Sequence, residues 1–542
     1  MIEDKLSPPS LMQRVDHKIR RVMSANLKKI TPEVPQLDVS LKNSAAWFVH
    51  GDICTKVVFY NYFWRNHHEE RVQLDLQLFD RNGAELWRDT QLVAQDCILT
   101  IDSNDIATAI NLSGFEGYLT LSTNLKKVPN FIELIRFNVD YYSHTGGIST
   151  VHDQAIFWPV AKGEHSLGKM EVIDTPEIGT SLIFVNTQAY ADTPVDVLVE
   201  VMRHDGQSVT IGNYSIKPKA MLRFELWKEL PEIASFLEGK PGQVVAKSSY
   251  YIKRAAVLHH SKKKMSDWFS VNHSEEYRGH HPYLEKESLA LSAQDKNGPM
   301  SPVPFLQDYH DVNTDLVLFH DIPKAGPNQS YGINLFDAQG NLLYGNEKVA
   351  TVSLYGTERI SLKDYLPADY SGYGLAQVFL SNSSHNERWQ ESFPMDAHYI
   401  VGESSWDAMY SQGSYQSINQ PGDVKTRVFG RAYFGNRLKT QLALVYACSA
   451  PLTEKSAPDS ATIVTLSDAD GRFTYTRKLV LKPHQTVFLS IDEIFPEIKN
   501  LPRADDQVYG IYVRDVTAKI LVIHFTKDVT RQFLATDHFY GG

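Results

Sequence analysis

The chain has 542 residues, 42% hydrophobic and 22% charged, so it is globular and long enough for about three to five domains. Its formal net charge of −10 argues against non-specific nucleic-acid binding, which draws on a basic surface to release counterions. Three scattered cysteines, Cys54, Cys97 and Cys448, give no disulfide framework and no cysteine zinc site.

The first ten residues, MIEDKLSPPS, are polar, with no apolar run behind them, and no stretch approaches about 18 uninterrupted apolar residues. The expectation is a cytoplasmic protein with no membrane span. Within the lead-in 1–42, Leu11, Val15, Ile19, Val22, Met23, Leu27 and Ile30 recur at helical spacing. They predict one amphipathic helix over 10–30, with Ser10 as N-cap and Thr31-Pro32 as its stop. Its apolar stripe is expected to pack on a sandwich or across a subunit boundary. Docking onto a partner protein or a membrane surface are the other readings.

Beyond it the chain repeats itself. A D/G turn recurs as DRNG (80–83), RHDG (203–206), DAQG (337–340) and DADG (468–471). Before each turn stands an alternating strand, and upstream of that a short apolar one: VVFYN, LIFVN, LVLFH and LALVY. After each turn a second glycine opens a further strand, at Gly117, Gly242, Gly374 and Gly510. Such short alternating strands with regular turns are the pattern of an antiparallel β-sandwich. The fold predicted is all-β: four tandem antiparallel sandwiches with one N-terminal helix. The units are placed at 43–158, 176–275, 311–402 and 424–542. The segment 276–310, rich in Gly, Pro and charge, reads as a linker.

No catalytic motif is visible. There is no P-loop, no dinucleotide fingerprint and no H-E-x-x-H. Ser149 in GGISTVH does not sit in a nucleophile elbow. Histidine is the suggestive residue type. Each unit is read as ending on one: His152, His273, His398 and His538. If the units form a ring these imidazoles can converge, and imidazole suits Zn, Cu, Ni or Fe. The simpler reading is a strand-end hydrogen bond copied four times. His259, His260 and His524 lie one strand earlier, and the pairs His67-His68 and His280-His281 read as exposed loop residues. Trp64, Trp87, Trp158, Trp268, Trp389 and Trp406 lie near strand ends, where a ring can stack on a sugar or enter a protein interface.

The second unit carries a resemblance. SLIFVNTQAYADTPVDVLVEVMRHDGQSV leads to YSIKPKAMLRFEL, then to GQVVAKSSYYIKRAAVLHHSKKKMSDWFSVNH. This stretch resembles the sensory rhodopsin transducer family in its strand ending in Asn, its D/G turn, its proline-basic-Arg-Phe strand and its late V-x-H strand. The last is echoed in VIHFTKD at 522–528. The resemblance implies a small soluble cytoplasmic sandwich without enzymatic activity, which assembles as a tetramer and signals by binding. Four fused copies would imitate that tetramer.

The function expected is therefore a non-catalytic binding or assembly protein. Its ligand would be a carbohydrate or another protein, and it would need no cofactor. The alternative is a metal-dependent enzyme built on the unit-end histidines. Homo-oligomers are compatible with both.

Overall fold

The computed structural model describes residues 42–541, except 64, 66–69, 124–134, 153, 156–164, 188–193, 249–254, 277–299, 321–325, 382–394, 403–404, 412–425, 448–457, 503 and 531–532. The predicted helix at 10–30, the pairs His67-His68 and His280-His281, and Trp64, Trp158 and Trp389 lie outside the described residues. Among the described residues no helix is long and apolar enough to cross a membrane.

The fold is all-β, with eight antiparallel sheets. The first two contain β1 (Lys42–His50), β2 (Ile53–Tyr60), β3 (Arg71–Asp80), β4 (Glu85–Ala94), β5 (Ile98–Asp102), β6 (Phe115–Thr123), β7 (Asn138–Ser143), β8 (Ile148–His152) and β9 (Gln154–Ala155). Their orders are β4-β3-β6-β1-β9 and β5-β2-β7-β8.

The next pair contains β10 (His165–Val172), β11 (Ile178–Val185), β12 (Val195–Met202), β13 (Ser208–Ile216), β14 (Met221–Glu225), β15 (Gly242–Ser248), β16 (Ala256–Ser261), β17 (Phe269–His273) and β18 (Glu275–Glu276). Their orders are β13-β12-β15-β10-β18 and β14-β11-β16-β17. The third pair contains β19 (Met300–Gln307), β20 (Val312–Phe319), β21 (Asn328–Asp337), β22 (Leu342–Ser353), β23 (Thr357–Ser361), β24 (Gly372–Leu380), β25 (Met395–Val401) and β26 (Ser405–Ser411). Here the orders are β22-β21-β24-β19 and β23-β20-β25-β26.

The last pair contains β27 (Thr426–Tyr433), β28 (Leu438–Val445), β29 (Thr462–Asp468), β30 (Thr474–Leu479), β31 (Thr486–Ser490), β32 (Val508–Asp515), β33 (Leu521–Asp528), β34 (Phe533–His538) and β35 (Tyr540–Gly541). The orders are β30-β29-β32-β27-β35 and β31-β28-β33-β34. Among the described residues the same four-strand order thus recurs in all four outer and all four inner sheets, with a short fifth outer strand in the first, second and fourth units.

Three boundaries differ from those read in the sequence. The second unit opens at β10, at residue 165 rather than 176. The third opens at β19, inside the segment read as a linker, and runs past 402 to the end of β26. The prolines of β19 hid it: Pro302 and Pro304 lie on an edge strand, the one place where a sheet tolerates missing donors. His398 does not end its unit. It lies in β25, and the closing strand is β26.

In each unit the sheet that carries the D/G turn is the outer layer. Its strands alternate in burial, as in β3 and β12, and its edge strand, such as β13, faces water. The other sheet is the inner layer. Strands such as β11, β16 and β33 are buried on nearly every residue, because their second face meets a neighbouring unit.

The recurring turn now has a positional meaning. Gly83, Gly206, Gly340 and Gly471 all have positive φ, between 67° and 91°. Each turn also abuts the next unit in cyclic order. A Cβ on Gly83 would stand 2.7 Å from Lys219 O, on Gly206 2.5 Å from Leu354 O, on Gly340 2.8 Å from Pro483 O and on Gly471 3.0 Å from Cys97 Sγ. The second turn residue often offers its carbonyl across the boundary: Arg81 O to Met221 N at 3.0 Å, Ala338 O to Thr486 N at 3.2 Å and Ala469 O to Ile98 N at 2.9 Å. The fourth unit therefore clasps the first.

Gly340→Ala should lower the melting temperature more than Gly402→Ala. Both glycines have positive φ, but nothing lies within 4 Å of a Cβ at 402. The backbone cost common to both is about 1 kcal/mol, so any further loss at 340 measures the junction. Thermal denaturation followed by circular dichroism makes the comparison.

Candidate functional site

The ring closes on the last inner strands. β8 packs on β17, β17 on β26, β26 on β34 and β34 on β8. Strand register aligns them. Asn138 pairs His152, Ala256 pairs His273, Asp396 pairs Tyr410 and Ile523 pairs His538. Three of the four expected histidines therefore occupy equivalent positions, and the fourth position holds Tyr410. His398 is one strand away.

The three histidines meet. The His152 ring lies 4.3 Å from that of His273 and 4.6 Å from that of His538. Asp537 binds the group together, with Oδ2 3.1 Å from His152 Nδ1 and Oδ1 3.1 Å from His538 Nδ1. His273 Nδ1 is 3.0 Å from Ser274 O. His152 is 3% exposed and His273 1%. Burial pushes the His152 imidazole down to about 4, against the pull of Asp537, so near neutral pH it is uncharged. His152, Asp537 and His538 bring their ligand atoms within 4.8 Å of one another.

Three residues earlier on β8, β17 and β26, and two earlier on β34, a second layer forms around Asp407. Its Oδ1 accepts from Ser149 Oγ at 2.8 Å and Ser270 Oγ at 2.6 Å, and its Oδ2 from Thr536 N at 2.8 Å. Ser149 Oγ in turn accepts from Val271 N at 2.8 Å. Edge-strand N–H groups that no ladder reaches are satisfied here by side chains of the next unit.

The unit boundaries differ at one aligned position. Four threonines set the alignment: Thr55, Thr180, Thr314 and Thr440 each accept a backbone N–H from the end of the unit's first strand or the residue just after it, from Val49, Ile173, Leu306 and Tyr433. Two residues before each donor stand Trp47, Glu171, Pro304 and Arg431. Two of them meet a partner on the neighbour's inner sheet, Glu171 meeting His398 and Arg431 meeting Asp140. Between the fourth and first units Arg431 pairs with Asp140, through Nη2 to Oδ1 and Nε to Oδ2 at 3.0 Å, while Tyr433 Oη donates to Asp140 Oδ2 at 2.7 Å. Arg431 is 0% exposed. Between the second and third, His398 Nε2 lies 2.8 Å from Glu171 Oε2. Apolar cores also cross the boundaries: Leu258, Phe269 and Val271 of the second unit and Phe429 and Tyr512 of the fourth join the first unit's core, and Phe488, Ile523 and Phe525 join the third's.

The remaining sequence candidates are structural. His260 Nε2 lies 2.9 Å from Ser181 Oγ, and His259 Nε2 3.1 Å from Glu171 O. His524 is fully buried beside Phe539. Trp268 and Trp406 are buried against each other, so neither offers a face to a sugar, and Trp87 is half-buried on the first core. Sequence reasoning missed Asp140, Glu171, Arg431, Asp407 and Asp537. Their signal was a charge inside an otherwise apolar strand, as in VFGRAYF and FNVDYY.

No protein-family model matches the sequence, and no curated protein matches it. Among solved structures, a serine-rich repeat protein (Srr2) from Streptococcus agalactiae is 10% identical, over 53% of this chain and 85% of that one, at TM-score 0.11. A beta-glucuronidase 2 from Bacteroides uniformis is 12% identical, over 47% of this chain and 27% of that one, at TM-score 0.11. Likenesses this faint carry no argument about what this chain does.

Two predictions follow from the buried charges. Asp140→Ala leaves Arg431 charged and unpaired in the interior, which should cost about 3–5 kcal/mol in urea denaturation. Burial also pushes the Asp407 carboxyl up to about 7, more than its bonds from Ser270, Thr536 and Ser149 lower it. An unfolded Asp titrates near about 3.9, so between those values the folded state binds more protons and stability falls as pH rises. Asp407→Asn removes that loss. Its stability relative to wild type should improve by about 2–3 kcal/mol between about pH 5 and about pH 8, and a constant difference across that range would contradict the assignment.

Proposed function

We propose that this chain is a non-catalytic binding and assembly protein, a single-chain ring of four sandwiches whose ligand is another protein or a carbohydrate. The observation that carries the reading is the enclosure of the titratable groups. His152, His273 and Asp407 are 3%, 1% and 0% exposed and are engaged with neighbouring units, where a substrate has no access. An active site keeps reactive groups at an open position. The groups at the ring junctions hold the units together instead.

A protein ligand is favoured over a sugar, because Trp268 and Trp406 are committed to the interior. The outer sheets remain for binding. Each ends on an edge strand, and Leu92 and Leu342 on two of those strands are 60% and 59% exposed. Four equivalent edges on one body suit a multivalent scaffold. The resemblance to the sensory rhodopsin transducer family supports the same reading: one chain would do the work of a tetramer, as a cytoplasmic binding module.

Affinity capture on the immobilised full chain, with mass spectrometry and a parallel glycan array, tests this. The expected result is a reproducible, saturable ligand whose binding persists in His152→Asn protein. Turnover of a captured small molecule, lost in that variant, would overturn the reading in favour of an enzyme built on the axial histidines.

A further inference from the structure

Glu171 of β10 and His398 and Asp396 of β25 meet where the second and third units join, and ligand atoms of all three lie within 4.8 Å of one another. The residues are 2%, 0% and 2% exposed. Glu171 Oε2 stands 2.8 Å from His398 Nε2, yet the pair is not aligned for an N–H···O bond. Neither oxygen of Glu171 and neither nitrogen of His398 has a hydrogen-bond partner. A desolvated carboxylate and imidazole left so are strongly unfavourable.

The axial cluster differs. There His152 Nδ1 has Asp537 within hydrogen-bond distance, and Asp537 also accepts from the His538 backbone N–H at 2.7 Å. At the junction Glu171 Oε2 and His398 Nε2 are enclosed at 2.8 Å, a few tenths of an ångström nearer than two ligands of one ion stand, so a bound ion would sit between them after a small shift. Ligands bound to one Zn²⁺ at about 2.0–2.2 Å stand roughly 3.0–3.5 Å apart.

The surroundings fit an ion. The His398 ring is stacked on Trp406, 4.2 Å between centroids and 8° between planes, which fixes the direction of its nitrogens. His259 packs on the same indole at 5.0 Å, and its Nδ1 has no hydrogen-bond partner. Two carboxylates beside two imidazoles make a donor set that suits a divalent cation. Mixed imidazole and carboxylate donors select a first-row transition ion over Ca²⁺ or Mg²⁺. The enclosure is that of a structural site, with no open coordination position.

We propose that Glu171, Asp396 and His398, with His259 beside them, form a buried Zn²⁺ site that joins the second unit to the third. It replaces, at that boundary, the Arg431–Asp140 pair of the opposite junction.

The test is metal analysis of the full chain, purified without chelator and again after Zn²⁺ loading and desalting. The expected result is one ion per chain, and a melting temperature that falls by several degrees on chelation and returns with Zn²⁺. Glu171→Gln and His398→Gln should lose the ion, whereas His538→Gln at the ring axis should keep it. Should the first two fail to fold, the wild-type and His538→Gln measurements still decide. No retained ion in loaded wild type, with a melting temperature indifferent to Zn²⁺ and chelator, overturns the proposal. So does an ion that His538→Gln loses, since it would then belong to the axis.

Discussion

A sheet that ends on a bare strand leaves a row of unpaired N–H and C=O groups, and that constraint governs this molecule. Each inner sheet ends on such a strand: β8, β17, β26 or β34. Bringing the four together around one axis hides all four edges at once. The closure also explains why inner strands such as β11 and β33 are buried on both faces, while the outer sheets keep an ordinary alternation. It brings polar groups inside as well. Asp407 and Ser149 serve edge N–H groups that no neighbouring strand can serve, and Ser270 donates its hydroxyl to Asp407.

The four units share a skeleton but not their junctions. At one aligned position the chain places Trp47, Glu171, Pro304 and Arg431, of which Glu171 meets His398 and Arg431 meets Asp140 on the next unit. At two junctions that position carries a buried charged or imidazole pair, Arg431 with Asp140 and Glu171 with His398. A tetramer of identical subunits cannot vary its interfaces in this way, but a fused chain can. The unlike pairs also specify order, because Arg431 against Leu258 or Glu171 against Asp140 would bury an unmatched charge. The D/G turn acts in the same sense around the ring. Its glycine is needed twice, once for the backbone conformation and once because the next unit lies against it.

Much of the fold was legible in the sequence because periodicity and turn chemistry are local. Alternation in VQLDLQLF and VDVLVEVM declared the outer strands, and the spacing from Gly83 to Gly117 and its counterparts declared the repeat. Local signals failed where the tertiary context decided. β19 was concealed by Pro302 and Pro304, tolerated only because the strand lies at an edge. His398 looked like a unit end, since MDAH ends as STVH and SVNH do; only pairing register shows that it belongs one strand earlier and that Tyr410 holds the fourth axial position. The ionic junctions were illegible for a different reason. Arg431 and Asp140 are 291 residues apart, and nothing in either strand names the other.

The chain closes, with the fourth unit seated on the first. The Gly471 turn lies against Cys97, and a Cβ at 471 would stand 3.0 Å from Cys97 Sγ, about the separation that a disulfide sets between one Cβ and the far sulfur. Gly471→Cys protein, folded and then oxidised, should form a 97–471 cross-link, seen as faster migration on a non-reducing gel and confirmed by peptide mapping. If the folded protein keeps both thiols free under conditions that oxidise model dithiols, the ring is open and the account fails.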